Sequence, residues 1–210
     1  VELDAMGTPG RSKSFHDDYY GNMGDNGLQD QVSAIKQLAL ERPWMDLDRV
    51  GVWGHSGGGF ASTGAILRYP NFYKVAVSSA GNHDNRNYED DWAEKWQGLL
   101  KTFPANKQSD TEILPTNYDN QANQLLVKNL QGKLLLAHGL MDDNVPPSNT
   151  LLVVQALIEA EKDFDLVVLP NAKHGFGNGR YFMKKRWDYF VEHLKDIDPP
   201  KNYRFEENIN

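Results

Sequence analysis

The sequence predicts an α/β fold in which a mostly parallel sheet is flanked by helices. Short apolar runs rich in Val or Leu alternate with stretches of helical periodicity along the 210 residues, which is typical of successive strands and helices. The segments able to carry chemistry follow those apolar runs directly. In open α/β sheets, functional sites lie at this position, beyond the carboxyl ends of the strands.

Five short segments are candidate strands: Val1–Ala5, Arg49–Trp53, Lys74–Ser79, Lys133–His138 and Phe164–Leu169. Five longer ones place apolar residues three or four apart and are candidate helices: Leu28–Glu41, Gly57–Arg68, Glu89–Phe103, Ser148–Glu161 and Tyr181–Lys195. Gly7–Asn26 and Pro104–Tyr118 are expected to be loops. We therefore expect one domain over residues 1–198 and a loosely packed polar tail over residues 199–210.

The composition excludes several functional classes. The chain has 22 Lys and Arg against 29 Asp and Glu, a net charge of −7, which argues against nucleic acid as its main partner. It has no Cys, which excludes disulfides, thiolate catalysis and Cys-ligated zinc. No apolar run approaches the ~20 residues that span a bilayer. The chain begins at Val1 without a signal peptide or an initiator Met, so we expect that a preceding segment has been removed.

A candidate nucleophile, Ser56, lies where a candidate strand runs into a Gly-x-Ser-x-Gly motif and then into a helix. In this setting the serine occupies a sharp, strained turn, and the flanking glycines let the strand and the helix approach each other. The next residue, Gly57, can then present its N–H group to a developing oxyanion. A Gly-rich turn that serves tight packing alone is the alternative interpretation.

A hydrolase of this type needs an acid and then a histidine on loops after later strands. The pair Asp142 and Asp143 follows one candidate strand, and spacing alone does not separate them. His174 follows the next strand and is the histidine with the right order and context. The other five are assigned structural or surface roles: His16, His55, His83, His138 and His193. A metal site built from His138, Asp142 and His174 is disfavoured because the triad loops already account for these residues.

Together these motifs resemble the catalytic domain of the prolyl oligopeptidase family, in particular its dipeptidyl-peptidase-IV branch, from Val1 to about Leu194. The matching segments are Asp4–Gly10, Asp30-Gln31, Gly54–Gly58, His138-Gly139 with Asp142–Val145, and His174-Gly175. The resemblance implies an α/β-hydrolase fold and a serine peptidase that needs no cofactor or metal. It also implies an acyl-enzyme and dipeptidyl-peptidase-like cleavage of peptides after Pro, Ala or a small residue. It selects Asp142 as the triad acid.

The resemblance also implies a substrate-binding pocket. Asn144 would donate a hydrogen bond to a substrate carbonyl near the scissile bond. Tyr88 and Trp92 would form aromatic walls with Val145 beneath them, and Asn82 would occupy a further pocket position. Aromatic faces suit a proline ring because they bury apolar area without demanding a hydrogen bond. For Trp92, a place in the core stripe of an amphipathic helix is an equal alternative; for Trp96 it is the preferred interpretation.

Several positions depart from the family pattern. Gly57 stands where a Tyr is typical, Asn82 replaces an apolar residue, and Asn85 replaces an aromatic one. Met6 replaces an Arg in the early loop. We therefore expect a pocket that is roomier and more polar than a strict proline slot.

Only 55 residues precede Ser56, which is too few for a complete α/β-hydrolase sheet, for its second oxyanion donor or for the family's β-propeller. We therefore expect an N-terminally truncated fragment with little or no activity. Its exposed sheet edge would favour self-association, such as a homodimer. The alternative functions are a carboxylesterase and a catalytically silent interaction fragment. Family analogy alone suggests the periplasm or the cell surface.

Overall fold

A parallel four-stranded sheet forms the centre of the structure, a computed structural model that describes residues 1–104, 114–203 and 205. Its strands are β1 (Val50–His55), β2 (Tyr73–Ser79), β3 (Lys133–Gly139) and β4 (Asp165–Leu169). They lie in the order β1-β2-β3-β4, and every neighbouring pair is parallel. The carboxyl ends of all four strands therefore meet at one edge, which confirms the predicted sheet.

Six α-helices are assigned in the described residues: α1 (Lys13–His16), α2 (Leu28–Glu41), α3 (Gly57–Arg68), α4 (Asp90–Gln97), α5 (Ser148–Glu159) and α6 (Arg180–Lys195). The bounds of α2 and α3 are those predicted, because a clear apolar periodicity runs the whole length of each. The helix α5 ends two residues before its predicted end, and α6 begins one residue earlier than predicted.

The two faces of the sheet carry separate apolar cores. Along β2, Ala76 packs with the cluster that contains residues of α2, α3 and α5, whereas Val75 and Val77 pack with residues of α6. This alternation follows from the period of two in a strand. With both faces covered, the middles of the central strands are apolar, at residues 75–77 of β2 and 134–137 of β3, as is usual in parallel sheets.

The predicted strand Val1–Ala5 is wrong. The segment has no strand conformation and pairs with none of the four strands described. The N–H group of Ala5 bonds locally to the carbonyl of Leu3, at 3.1 Å. Ala5 is buried against Gly27, where an added Cβ would lie 2.6 Å from the Ala5 Cβ. An apolar run without a hydrogen-bonding neighbour remains irregular, and the sequence pattern does not reveal whether a neighbour exists.

The predicted helix Glu89–Phe103 is too long at both ends. The observed helix, α4, begins at Asp90 and ends at Gln97. It ends there because Gly98 adopts a positive φ of 77°. Leu99 and Leu100 therefore do not continue the apolar face, and they are 66% and 58% exposed. Trp92 and Trp96 both lie within α4.

The loop Gly7–Asn26 contains more structure than predicted, namely α1 and 3-10 turns at Asp17–Tyr19 and Met23–Asp25. Of the second predicted loop, residues 105–113 lie outside the described residues, as do residues 204 and 206–210 of the tail. The division at residue 198 stays a prediction. No helix in the described ranges is long and apolar enough to cross a membrane.

Candidate active site

Ser56 lies on a strained turn between β1 and α3. Its φ of 59° and ψ of −124° place a non-glycine residue in a sparsely populated conformation. The turn brings the strand and the helix so close that a Cβ at Gly54 would lie 2.2 Å from the Gly58 carbonyl oxygen. The Ser56 N–H group bonds to the carbonyl of Ser79 in the neighbouring strand, at 2.8 Å. Ser56 is thereby held at the carboxyl edge of the sheet.

His174 follows β4 and reaches the serine. Its Nε2 atom lies 2.9 Å from the Ser56 hydroxyl oxygen, and its Nδ1 atom lies 2.8 Å from Oδ2 of Asp142. These distances are within the range of a nucleophile–base pair whose base is oriented by a third group. The His174 side chain is 25% exposed, whereas that of Asp142 is fully buried. Three side chains predicted from separate loops therefore form one hydrogen-bonded line.

The surroundings of Asp142 hold its carboxylate in place. Its Oδ1 atom accepts hydrogen bonds from the N–H groups of Asn144 and Val145, both at 3.0 Å. The neighbouring Asp143 points elsewhere: its side chain is 68% exposed and forms an ion pair with Lys173 at 2.8 Å. This pair lowers the pKa of Asp143, chiefly through the hydrogen bond from Lys173. Spacing in the sequence does not decide which of the two carboxylates contacts the base. In the structure, only Asp142 lies beside His174.

His138, to which the sequence assigns a structural role, contacts the loop that carries Asp142. Its Nε2 atom lies 3.0 Å from the Val145 carbonyl oxygen and 3.3 Å from Oδ2 of Asp142. A carbonyl oxygen only accepts, so Nε2 carries the proton, and Nδ1 accepts from the Thr150 hydroxyl at 2.7 Å. Burial lowers the pKa of His138. The neutral ring therefore ties the end of β3 to the acid loop and to α5.

His55, within the turn itself, contacts the base. Its ring centroid lies 4.9 Å from that of His174 and 5.3 Å from that of Phe176. Its Nδ1 atom lies 2.9 Å from the Ser79 hydroxyl oxygen. Burial, and then the proximity of His174, lower the pKa of His55. The motif places this residue beside the nucleophile, but its contact with His174 joins positions 119 residues apart and has no local signal in the sequence.

Gly57, the predicted oxyanion donor, is the first residue of α3. The first N–H groups of a helix have no intrahelical acceptor, and the positive end of the helix dipole favours negative charge there. An added Cβ at Gly57 would meet only the Trp92 ring, at 3.9 Å. The N–H group of Gly57 thus belongs to a helix end suited to an anion.

The predicted pocket residues divide into two groups. The Tyr88 hydroxyl donates to Oδ1 of Asn144 at 2.9 Å, and the rings of Tyr88 and Trp92 meet edge to face at 5.6 Å. This bond occupies the oxygen of the Asn144 amide and leaves its NH₂ group as the donor. Val145, in contrast, is fully buried beneath this group. Tyr88, Trp92 and Asn144 are thus the members of the predicted pocket with exposed surface.

The expected polar lining of the pocket is wrong. Asn82 and Asn85 are each 1% exposed, and the Asn82 amide donates to the Asn85 oxygen at 2.6 Å. Asn85 in turn donates to Gln121 at 2.6 Å. Buried amides require partners, and these amides find them in one another and in a residue 36 positions away. The two substitutions therefore build an internal network rather than a polar pocket wall.

Within the described ranges, no group of three or more His, Asp or Glu side chains is arranged to hold a metal ion. The rings of His138 and His174 both direct a nitrogen at the same carboxylate oxygen of Asp142. Both ring nitrogens therefore face a hydrogen-bond acceptor, Oδ2 of Asp142.

The sequence profile of the prolyl oligopeptidase family matches residues 1–196. The chain belongs to the prolyl oligopeptidase family. It is 32% identical over 193 residues to dipeptidyl peptidase family member 1 of Caenorhabditis elegans, covering 91% of this chain and 22% of that protein. The chain spans about a fifth of the length of the curated relatives it matches.

Solved structures of the family have the same fold. The dipeptidyl peptidase 4 of Porphyromonas gingivalis superposes with a TM-score of 0.76 at 27% identity, covering 91% of this chain and 26% of that one. The acylaminoacyl peptidase of Pyrococcus horikoshii superposes with a TM-score of 0.72 at 21% identity, covering 96% and 32%. The chain therefore has the α/β-hydrolase fold of prolyl oligopeptidase family catalytic domains, as the sequence predicts.

Proposed function

We propose that this chain is the catalytic domain of a serine peptidase in which Ser56, His174 and Asp142 form the triad. The observation that supports the proposal most is the line from the Ser56 hydroxyl through His174 to Asp142, with distances of 2.9 and 2.8 Å. Membership of a peptidase family supports the same reaction class.

In the proposed mechanism, Ser56 attacks the carbonyl carbon of the peptide bond while Nε2 of His174 takes the hydroxyl proton. Asp142 orients the ring and stabilises the imidazolium that forms. The Gly57 N–H group donates to the oxyanion of the tetrahedral intermediate. His174 then gives its proton to the leaving amine, and the acyl group remains on Ser56. Water, activated by His174, releases the acyl group and restores the free enzyme.

The proposed substrate is a peptide from which a dipeptide is released after Pro, Ala or a small residue. The NH₂ group of Asn144, whose oxygen is occupied by Tyr88, is suited to bind a carbonyl oxygen of the acyl part of the substrate. The relatives and solved structures named dipeptidyl peptidases support this specific form.

A substrate panel tests the reaction class against the esterase alternative. The full-length natural protein is assayed with dipeptide p-nitroanilides carrying Pro, Ala or Phe before the anilide, and with p-nitrophenyl acetate. We expect hydrolysis of at least one anilide, abolished by a fluorophosphonate, because the triad and the Asn144 amide together suit a peptide carbonyl. Hydrolysis of the acetate with no cleavage of any anilide would instead establish an esterase.

We also propose that this chain of 210 residues self-associates through β1. This strand lies at the edge of the sheet and pairs only with β2 among the strands described. Unpaired backbone groups at a sheet edge can pair with a second chain. Light scattering over a hundredfold range of concentration should show a mass above that of the monomer at the upper end. A constant monomer mass across the range would contradict this proposal.

A further inference from the structure

A cavity of about 290 Å³ opens beside the nucleophile. Gly57, Phe60 and Ala61 line it from the first turns of α3, and Trp92 and Trp96 line it from α4. The opposite wall is formed by residues of the segment between Gly7 and Leu28. The cavity thus begins one residue after Ser56 and is bordered by α3, α4 and the early segment.

The lining of the cavity is mainly aromatic, and its polar side chains are His16 and Asn26. Four of its walls are the rings of Tyr19, Phe60, Trp92 and Trp96, with Met23 between them, and no Asp, Glu, Lys or Arg is among its described lining residues. The Tyr19 and Trp96 rings pack against each other at 5.0 Å. Apolar pockets with few polar groups bind side chains by burying their surface, so an apolar side chain is a suitable occupant of this cavity.

Gly57 leaves the path from Ser56 into the cavity open. The direction in which a side chain at position 57 would project is empty up to the Trp92 ring, 3.9 Å from the added Cβ. Any large side chain at this position would therefore enter the space beside Trp92. Because position 57 has no side chain, the cavity stays open toward Ser56, to which the acyl group is attached.

The cavity is lined by none of the described residues of the loops that carry the acid, Asp142, and the base, His174. His174 gives its proton to the leaving amine, so the leaving group lies beside the base loop. Of the five predicted pocket residues, only Trp92 lines the cavity. The space is therefore distinct from the Tyr88–Asn144 side of that ring.

We propose that this cavity receives the side chain of the residue on the acyl side of the scissile bond and admits a large apolar side chain such as Phe in addition to the Pro, Ala or small residue proposed above. The proposal rests on the proposed function. A dry cavity of about 150 Å³ is enough to bind benzene, so 290 Å³ accommodates a benzyl or an indolyl group. Filling an apolar pocket correctly is worth roughly 10- to 200-fold in selectivity.

Boronic acids test the proposal because they form reversible adducts with a catalytic serine; the phenylethyl compound carries the benzyl side chain of Phe, and the methyl compound carries no side chain. The affinities of methylboronic acid and 2-phenylethylboronic acid are measured by their competition with fluorophosphonate labelling of the full-length natural protein. Quenching of tryptophan fluorescence follows occupancy beside Trp92 and Trp96. We expect the phenylethyl compound to bind about 10- to 100-fold more tightly than the methyl compound.

Variants at Ala61 separate the cavity from general hydrophobicity. Ala61→Phe fills the cavity and should abolish the preference for phenylethyl, whereas Ala61→Ser leaves the cavity open and should keep it. Ala61→Leu, which adds less volume, should reduce the preference and serves if the Phe variant does not fold. Equal affinities in the natural protein, or a preference unchanged by both enlarging variants, would overturn the cavity proposal. If the fluorophosphonate does not label Ser56, the proposed nucleophile fails; if it labels Ser56 and neither compound competes, only the cavity proposal is overturned.

Discussion

Asp142→Asn is expected to lower kcat by about 10⁴-fold, whereas Asp143→Asn is expected to leave it within about twofold. The two carboxylates are adjacent in sequence and differ in their surroundings. The Asp142 side chain is fully buried and lies 2.8 Å from Nδ1 of His174. That of Asp143 is 68% exposed and contacts Lys173. Asp143→Asn is therefore a matched control for Asp142→Asn.

The physical reason lies in the direction of the hydrogen bonds. An Asn at position 142 keeps one oxygen, which can still accept the N–H groups of Asn144 and Val145. Its NH₂ group then faces Nδ1 of His174, and two donors cannot bond to each other. The ring is pushed toward the tautomer that places a proton on Nε2, where it cannot accept the Ser56 proton. The fold is expected to survive, which circular dichroism of both variants checks.

Hydrolysis of the best anilide substrate, measured for both variants over a range of substrate concentrations, gives the result. The loss should appear in kcat more than in KM, because Asp142 stabilises a cation that forms only during the reaction. A large loss in Asp143→Asn, or equal modest losses in both variants, would show that the acid has been assigned wrongly.

The placement of the candidate triad could be predicted because it depends on topology. Each residue follows a short apolar run, and the ends of parallel strands meet at one edge of the sheet, so Ser56, Asp142 and His174 could be expected to lie together. The strained turn at Ser56 could also be predicted, because a glycine at position 54 is required by the close approach of β1 and α3. The local sequence motifs and the order of the residues along the chain were sufficient to predict both the placement of the triad and the turn at Ser56.

The surroundings of the triad could not be predicted in this way. Asn82 and Asn85 satisfy their amides through Gln121, a partner with no signal near them in the sequence. The cavity depends on an irregular early segment packing against Trp92 and Trp96, so periodicity within α4 alone did not reveal it. The strand predicted at Val1–Ala5 failed for the same reason, since pairing is a property of a neighbour.

Ser56→Ala is expected to remove hydrolysis almost completely, by about 10⁶-fold in kcat, because no other group can form the acyl intermediate. Ser62→Ala is the matched control. Ser62 is a buried serine of α3, the helix that follows Ser56, and its hydroxyl donates to the Gly58 carbonyl at 2.7 Å. The control is expected to retain activity within a few-fold. Comparable losses in the two variants would point to damage to α3 rather than to loss of a nucleophile.

The most direct measurement is the site of fluorophosphonate attachment. The full-length natural protein is treated with the reagent, digested, and mapped by mass spectrometry. A hydroxyl 2.9 Å from an imidazole that is itself held by a buried carboxylate should react ahead of every other serine. We expect one adduct per chain, on Ser56, absent from Ser56→Ala and present in Ser62→Ala. An adduct on a different residue, or no adduct at all, would contradict the account.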